Sequence, residues 1–356
     1  MPSRAEPKPR EKAEPFVFAG ETVEPGQRRR VKIPIAQLSF GAPVSLEAEI
    51  VVGRQAGPKL FVCSAIHGDE LNGVESIARI ARSRVLDRMR GVLILLPVVN
   101  LFGFIQQSRY LPDRRDLNRA FPGSPNGSLA GQIAHAMLTH VVKPCDFGID
   151  LHTAAIHRSN LPQVRARLED ENLKQLALAF GAPVVLDAGL MPGTLRAAAQ
   201  EANTPVLTFE GGEALRFDER SIRSAALGVI RVMEALGMAS RPHRPGRKRV
   251  IVAHASKWLR APAAGVLRSE IRLGERVREG QELGYVASPF GEGPQPVIAQ
   301  HDGVVVGLAT MPVVNRGDAL FHVAEVGDAG AAAERIDAYA EEVMQMPALW
   351  EDPVRS

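Results

Sequence analysis

Four stretches of this chain are apolar on nearly every residue rather than on every second one. They are Lys59-Leu-Phe-Val-Cys-Ser-Ala-Ile66, Val92-Leu-Ile-Leu-Leu-Pro-Val-Val99, Phe147-Gly-Ile-Asp-Leu151 and Pro205-Val-Leu-Thr-Phe209. Runs this short suit strands buried on both faces. Between them the period changes. Val74, Ile77, Ala78, Ile80 and Ala81 recur at helical spacing, and helices are expected over about 129–142, 165–180, 194–202 and 220–236. Further strands are expected at Val44–Val52 and at Pro183–Leu186. The alternation predicts an α/β fold: a mixed, largely parallel sheet flanked by helices, with a smaller all-β domain at the C-terminal end.

The predicted organisation has five parts. Residues 1–15, charged and Pro-rich, read as a disordered tail. Residues 16–240 form the main domain, and the Pro- and Arg-rich segment 241–248 is a linker. Residues 249–325, with short strands punctuated by Gly and Pro, form a β-sandwich-like domain. Residues 326–356 are a C-terminal helix and tail, with helix-forming composition over Ala331–Met344.

Composition narrows the function classes. Aromatic residues make up 5% of the 356 residues, which disfavours a base-stacking nucleic-acid platform. Formal charge is only +3, and the basic clusters Arg28-Arg29-Arg30 and Arg247-Lys248-Arg249 read as solvated surface. No apolar stretch is long enough to span a membrane. Cys63 and Cys145 lie in apolar contexts and read as buried free thiols of a reducing compartment. A cytoplasmic protein with no nucleic-acid or membrane partner is expected; a homo-oligomer is compatible with the sequence.

In parallel sheets, ligands bind at the carboxyl ends of the strands. Four polar residues fall at such ends: His67, Glu70, His152 and Glu210. Hydrolytic zinc sites use three protein ligands and leave one position open, and two histidines with one glutamate are a standard set. His67 and Glu70, three residues apart at a strand-to-helix turn, supply two ligands. His152, at another strand end, supplies the third. Asp150 points to the same face as His152 and is a candidate orienter of its imidazole, and Asp69 is a second candidate. The other seven histidines read as structural or surface residues.

The segment Ser108-Arg-Tyr-Leu-Pro-Asp-Arg-Arg-Asp-Leu-Asn-Arg-Ala-Phe-Pro-Gly123 concentrates guanidinium and amide donors in a loop shaped by Pro112, Pro122 and Gly123. Such forks match a carboxylate and stabilise a developing oxyanion. Taken in order, His67-Gly-Asp-Glu70, Arg109-Tyr110, Asp116-Leu-Asn-Arg-Ala-Phe-Pro-Gly123, Asp150-Leu-His-Thr153 and Phe209-Glu-Gly-Gly212 resemble the succinylglutamate desuccinylase/aspartoacylase family, a branch of the zinc carboxypeptidase-like fold. The resemblance covers about 45–325. It implies one Zn2+ per chain on His67, Glu70 and His152, with Glu210 as general base and acid. It further implies Arg109 at the scissile carbonyl, and Asn118 and Arg119 on the carboxylate of a small N-acyl substrate. Arg196, in Gly193-Thr-Leu-Arg196, is a candidate further contact. The spacing from Arg109 to Asp116 is longer than in the aspartoacylases proper, which leaves Arg114 and Arg115 as alternatives to Arg109. The apolar strand end at Glu210 is expected to tune its acidity.

Residues 261–323 also resemble a lipoyl- or biotinyl-like β-sandwich, but no Lys follows Lys257, so no cofactor arm can be attached. A cover over the site rim that restricts it to small substrates fits better. The sequence therefore points to a zinc-dependent amidohydrolase releasing an acyl group from a small N-acyl amino acid or amine. A carboxypeptidase acting on peptides and a non-catalytic binding protein on the same scaffold are the rival readings.

Overall fold

The computed structural model describes residues 11–37, 40–240, 250–347 and 350; the expected linker at 241–248, the basic cluster at 247–249 and the two chain ends lie outside the described residues. In the first half the strands are β1 (Phe16–Phe18), β2 (Glu21–Val23), β3 (Arg28–Gln37), β4 (Pro43–Val52), β5 (Lys59–Ser64) and β6 (Val92–Leu96). They are followed by β7 (Phe147–His152), β8 (Arg158–Ala166), β9 (Val184–Asp187) and β10 (Val206–Gly212). The helices among them are α1 (Asn72–Ala81), α2 (Leu101–Gln106), α3 (Leu129–Ala136), α4 (Glu171–Phe180), α5 (Leu195–Glu201) and α6 (Glu219–Ala235).

The centre of the sheet runs β10-β7-β5-β6, and all three pairings are parallel. Antiparallel β4 and β3 extend it on one side and antiparallel β8 on the other. The fully apolar runs fall in the parallel strands because these are covered twice. Phe61, Cys63, Ile94 and Leu96 face a core with α3 and α5, whereas Leu60, Val62, Leu93 and Leu95 face a core with α1, α4 and α6. Each fully buried Leu or Ile side chain contributes about 1.5–3 kcal/mol over the exposed state. Helix starts are marked by side-chain caps: Asp170 for α4, Thr194 for α5 and Asp218 for α6 each accept from a backbone N–H in the first turn.

The helix read over 165–180 begins only at Glu171, and Arg158–Ala166 is strand β8. Pro162 in the middle of this segment argues against a strand in sequence. The fold accommodates it where the pairing with β10 shifts register between Glu210 and Gly212.

The C-terminal half contributes β11 (Ile251–Ala253), β12 (Ala255–Arg260), β13 (Gly265–Arg268), β14 (Arg276–Val277), β15 (Glu282–Ala287), β16 (Gln295–Ile298), β17 (Gly303–Ala309), β18 (Val313–Val314) and β19 (Ala319–Glu325), then α7 (Ala329–Gln345). One layer, β12-β19-β17, joins the main sheet because β17 pairs with β8 from Gly307 to Ala309. The other layer is the sheet β16-β15-β13-β18. Leu259, Val286, Val305, Leu320 and Phe321 fill the space between them. At the other end of the chain, residues read as part of a tail are hydrogen-bonded: Lys12 bridges to Gln55, and Ala13 N–H donates to Arg54 O. No helix among the described residues is long and apolar enough to cross a membrane.

Candidate metal centre and active site

Side chains alternate across a strand. Ile149 and Leu151 of β7 face the α1/α4/α6 core, so Asp150 and His152 face the opposite side. Leu207 and Phe209 of β10 likewise leave Thr208 and Glu210 on that side. The register then forms two polar rows across the sheet. Cys63, Asp150, Thr208 and Arg165 are successive partners, and so are His152, Glu210 and Gln163.

His67 and Glu70 sit on the turn after β5, closed by Glu70 N–H donating to His67 O at 3.1 Å. Gly68 is required by close approach: a Cβ there would lie 1.9 Å from the Gly103 carbonyl carbon of α2. Asn72, the first residue of α1, ties this turn to the end of β10. Its Nδ2 donates to Gly211 O at 3.1 Å, and its Oδ1 accepts from Asp218 N–H at 3.0 Å.

Ligand atoms of His67, Glu70 and His152 all lie within 4.8 Å of one another, and all three residues are buried. His67 Nδ1 is 2.7 Å from Glu70 Oε1, and His152 Nδ1 is 2.7 Å from Glu70 Oε2. The opposite nitrogens face two further carboxylates: His152 Nε2 is 2.7 Å from Asp150 Oδ2, and His67 Nε2 is 3.2 Å from Asp116 Oδ1. Burial alone would lower the pKa of each imidazole, but the carboxylates facing them raise both. Burial would raise Glu70, yet the two imidazoles hold it well below the usual carboxylate range.

The donor chemistry suits a divalent cation. With Nε2–H donated outward to Asp116 and Asp150, two Nδ1 lone pairs and one carboxylate converge on a single point. A cationic group already leans on it: Arg109 Nη1 lies 3.2 Å from His67 Nδ1 and 3.5 Å from Glu70 Oε1.

Arg109 is fixed by Asp116, which accepts from Nε at 3.1 Å and Nη2 at 2.8 Å. Asp116 therefore holds one imidazole with one oxygen and the guanidinium with the other. Despite its burial, His67 and Arg109 keep this carboxyl well below its usual range. Of the three candidate arginines, only Arg109 reaches the triad; Arg114 and Arg115 are exposed. Of the two candidate orienters, Asp150 contacts an imidazole. Asp69 is buried and forms no side-chain hydrogen bond to either histidine.

Glu210 is not in an apolar setting, which corrects the expectation from sequence. Asn160 Nδ2 donates to its Oε2 at 2.5 Å, and Arg165 Nε lies 3.4 Å from its Oε1. Both partners come from β8, the strand not recognised in sequence. Gln163, on the same strand, is fully buried, and its carboxamide makes no hydrogen bond within the described chain.

Asn118 and Arg119 stand farther out, with no hydrogen bond to the triad among the described residues. Asn118 Oδ1 accepts from Leu195 N–H at the start of α5, and exposed Arg119 donates to Asn118 O. Arg196, in the first turn of α5, donates to Ala188 O at 2.5 Å. Its pKa is lowered by burial and by Arg165, against the attraction of Asp150 and Glu210, so it lies within electrostatic reach of the site.

Residues 56–236 match the family model described as the succinylglutamate desuccinylase/aspartoacylase catalytic domain. An N-alpha-acetyl-L-2,4-diaminobutyric acid deacetylase from Halomonas elongata is 27% identical over 315 residues, covering 83% of this chain and 90% of the relative. Among solved structures, a succinylglutamate desuccinylase from Silicibacter sp. TM1040 superposes with a TM-score of 0.76 at 26% identity, over 89% of this chain and 100% of the other. The product-bound ectoine utilization protein EutE (DoeB) from Ruegeria pomeroyi shares the fold, with a TM-score of 0.76 at 22% identity, over 87% of this chain and 98% of the other.

Proposed function

Because the chain belongs to the succinylglutamate desuccinylase/aspartoacylase family, we propose that it is a zinc-dependent deacylase that cleaves the amide bond of a small N-acyl amino acid or related N-acyl amine. The observation that carries the reading is the convergence of His67, Glu70 and His152, each histidine backed by its own carboxylate. These three residues would hold one Zn2+. When bound there, zinc is a Lewis acid that acidifies water and polarises a carbonyl oxygen.

The remaining roles fall to side chains around the triad. Glu210 takes a proton from the attacking water and delivers it to the departing amine nitrogen. Asn160 engages Oε2 of Glu210 closely, while Arg165 stands farther from Oε1, which supports Oε1 as the oxygen available for proton transfer. Arg109 meets the negative charge that develops on the carbonyl oxygen. Asn118, Arg119 and Arg196 line the approach and bind the substrate carboxylate. Two buried free thiols, Cys63 and Cys145, support a reducing compartment, so the reading includes a cytoplasmic location.

The test is turnover of the zinc-loaded protein on a panel: N-acetyl-L-2,4-diaminobutyrate first, then N-acetyl, N-succinyl and N-formyl amino acids and diamines, with a dipeptide series alongside. Amine release from at least one N-acyl amino acid, exceeding that from every dipeptide, is the expected result. Hydrolysis confined to dipeptides, or no hydrolysis with metal bound, overturns the reading.

A further inference from the structure

One cross-strand row runs from Gly212, two residues beyond Glu210, to the far side of the C-terminal strands. Gly212 of β10 pairs with Asn160 of β8, Asn160 with Gly307 of β17, Gly307 with His322 of β19, and His322 with Trp258 of β12. The row has a gap at Gly307. A Cβ there would meet Asn160 Oδ1 at 2.8 Å, the His322 Cβ at 3.2 Å and the Trp258 Cη2 at 3.3 Å. The Asn160 carboxamide therefore occupies space that only a glycine leaves free.

Behind that gap the side chains interlock. The Trp258 and His322 rings stack at 4.8 Å with an angle of 8°. His322 Nε2 is 2.9 Å from Ser256 Oγ, and the Arg158 guanidinium lies over the Trp258 ring, 5.4 Å from its centre. Asn160 is itself buried, at 4% exposure. Its Nδ2 is the close hydrogen-bond donor to Glu210, at 2.5 Å.

We propose that Asn160 is a positioning residue for Glu210, and that the C-terminal strands set its orientation through the Gly307 gap. The β-rich half then acts on the reaction by fixing the carboxylate that moves the proton. A glutamate has three side-chain torsions to restrain, and misplacing a reacting group by about 1 Å costs on the order of 100-fold in rate. This inference rests on Glu210 being the base.

The experiment compares Asn160→Ala, Asn160→Asp, Gly307→Ala and Glu210→Gln in the full-length zinc-loaded protein. The substrate is N-acetyl-L-2,4-diaminobutyrate or the panel member turned over fastest. Val286→Ala, a fully buried position in the C-terminal core, controls for general loss of stability. kcat, KM, Tm and zinc per chain are read for each. Asn160→Ala is expected to lower kcat about 10- to 100-fold, with KM within about twofold and zinc unchanged. Asn160→Asp, which sets a second carboxylate against Glu210, should lower kcat further. Gly307→Ala should reproduce the kcat-selective loss although Asn160 and Glu210 are both present, and Val286→Ala should not. If Gly307→Ala does not fold, Trp258→Phe, which removes the Cη2 edge bordering the gap, decides in its place: a kcat-selective loss supports the proposal and native kcat overturns the role given to the C-terminal strands. Native kcat in Asn160→Ala, or equal kcat loss in Val286→Ala and Gly307→Ala, overturns the proposal. Native kcat in Glu210→Gln removes the base assignment itself, a separate failure.

Discussion

His152 and Glu210 stand opposite each other on the adjacent parallel strands β7 and β10, with both side chains on the face that carries the candidate metal centre. The proposed proton-transfer group thus stands beside a proposed ligand without joining the triad: Glu210 contacts Asn160 and Arg165, and Glu70 contacts the two histidines. Glu210→Gln, nearly isosteric, is therefore expected to bind zinc at native stoichiometry and to lose about 10²- to 10⁴-fold in kcat. Metal analysis and steady-state kinetics on one preparation check both halves. A variant that loses zinc would make Glu210 a ligand rather than a base.

Removing the carboxylates behind the histidines should separate affinity from ligation. His152→Ala is expected to abolish stoichiometric zinc binding. Asp116→Asn and Asp150→Asn should each weaken it by about 10- to 100-fold. Competition with a chromophoric chelator measures the difference, and stripping zinc from the wild type should lower Tm and activity together, both returning on re-addition.

Arg109→Ala should lower kcat by about 10²- to 10³-fold. Arg109→Lys should restore little of it, because an ammonium cannot span Asp116 and the site as the planar fork does. Arg114→Ala and Arg115→Ala, at exposed positions, should stay within about twofold of wild type. A larger loss at either of these than at Arg109 would reassign the oxyanion donor.

Stability toward acid should carry a contribution from His322. Burial, with help from Arg165, lowers its pKa from 6.5 to about 3. Between those values the unfolded chain binds a proton that the folded chain does not, so falling pH favours unfolding. The penalty sets in below about pH 6.5, grows to on the order of 5 kcal/mol and levels off near pH 3. His322→Phe keeps an aromatic ring against Trp258 and removes the titration. Its stability should fall less steeply than that of the wild type between pH 7 and pH 4 in urea unfolding. Parallel slopes would remove the assignment.

Local sequence pattern alone specifies the α/β architecture and points to most of the candidate metal centre. Doubly buried strands need uninterrupted apolar runs, and Ile94 or Val62 can be recognised as such from their neighbours alone. His67 and Glu70 are close in sequence, so a local turn suffices to bring them together. His152 falls at the end of a strand that is legible in the same way. Tertiary structure decided what depended on register and on pairing between distant segments. Strand β8 was hidden because its polar residues Asn160, Gln163 and Arg165 face Glu210, and because Pro162 sits at a shift in pairing. The second partner of His67 is Asp116, 49 positions away in the chain. The apolar strand that carries Glu210 implies an apolar setting for it, whereas the groups touching it come from the next strand. Local pattern reports what a segment buries; only the packed sheet fixes which polar atoms it meets.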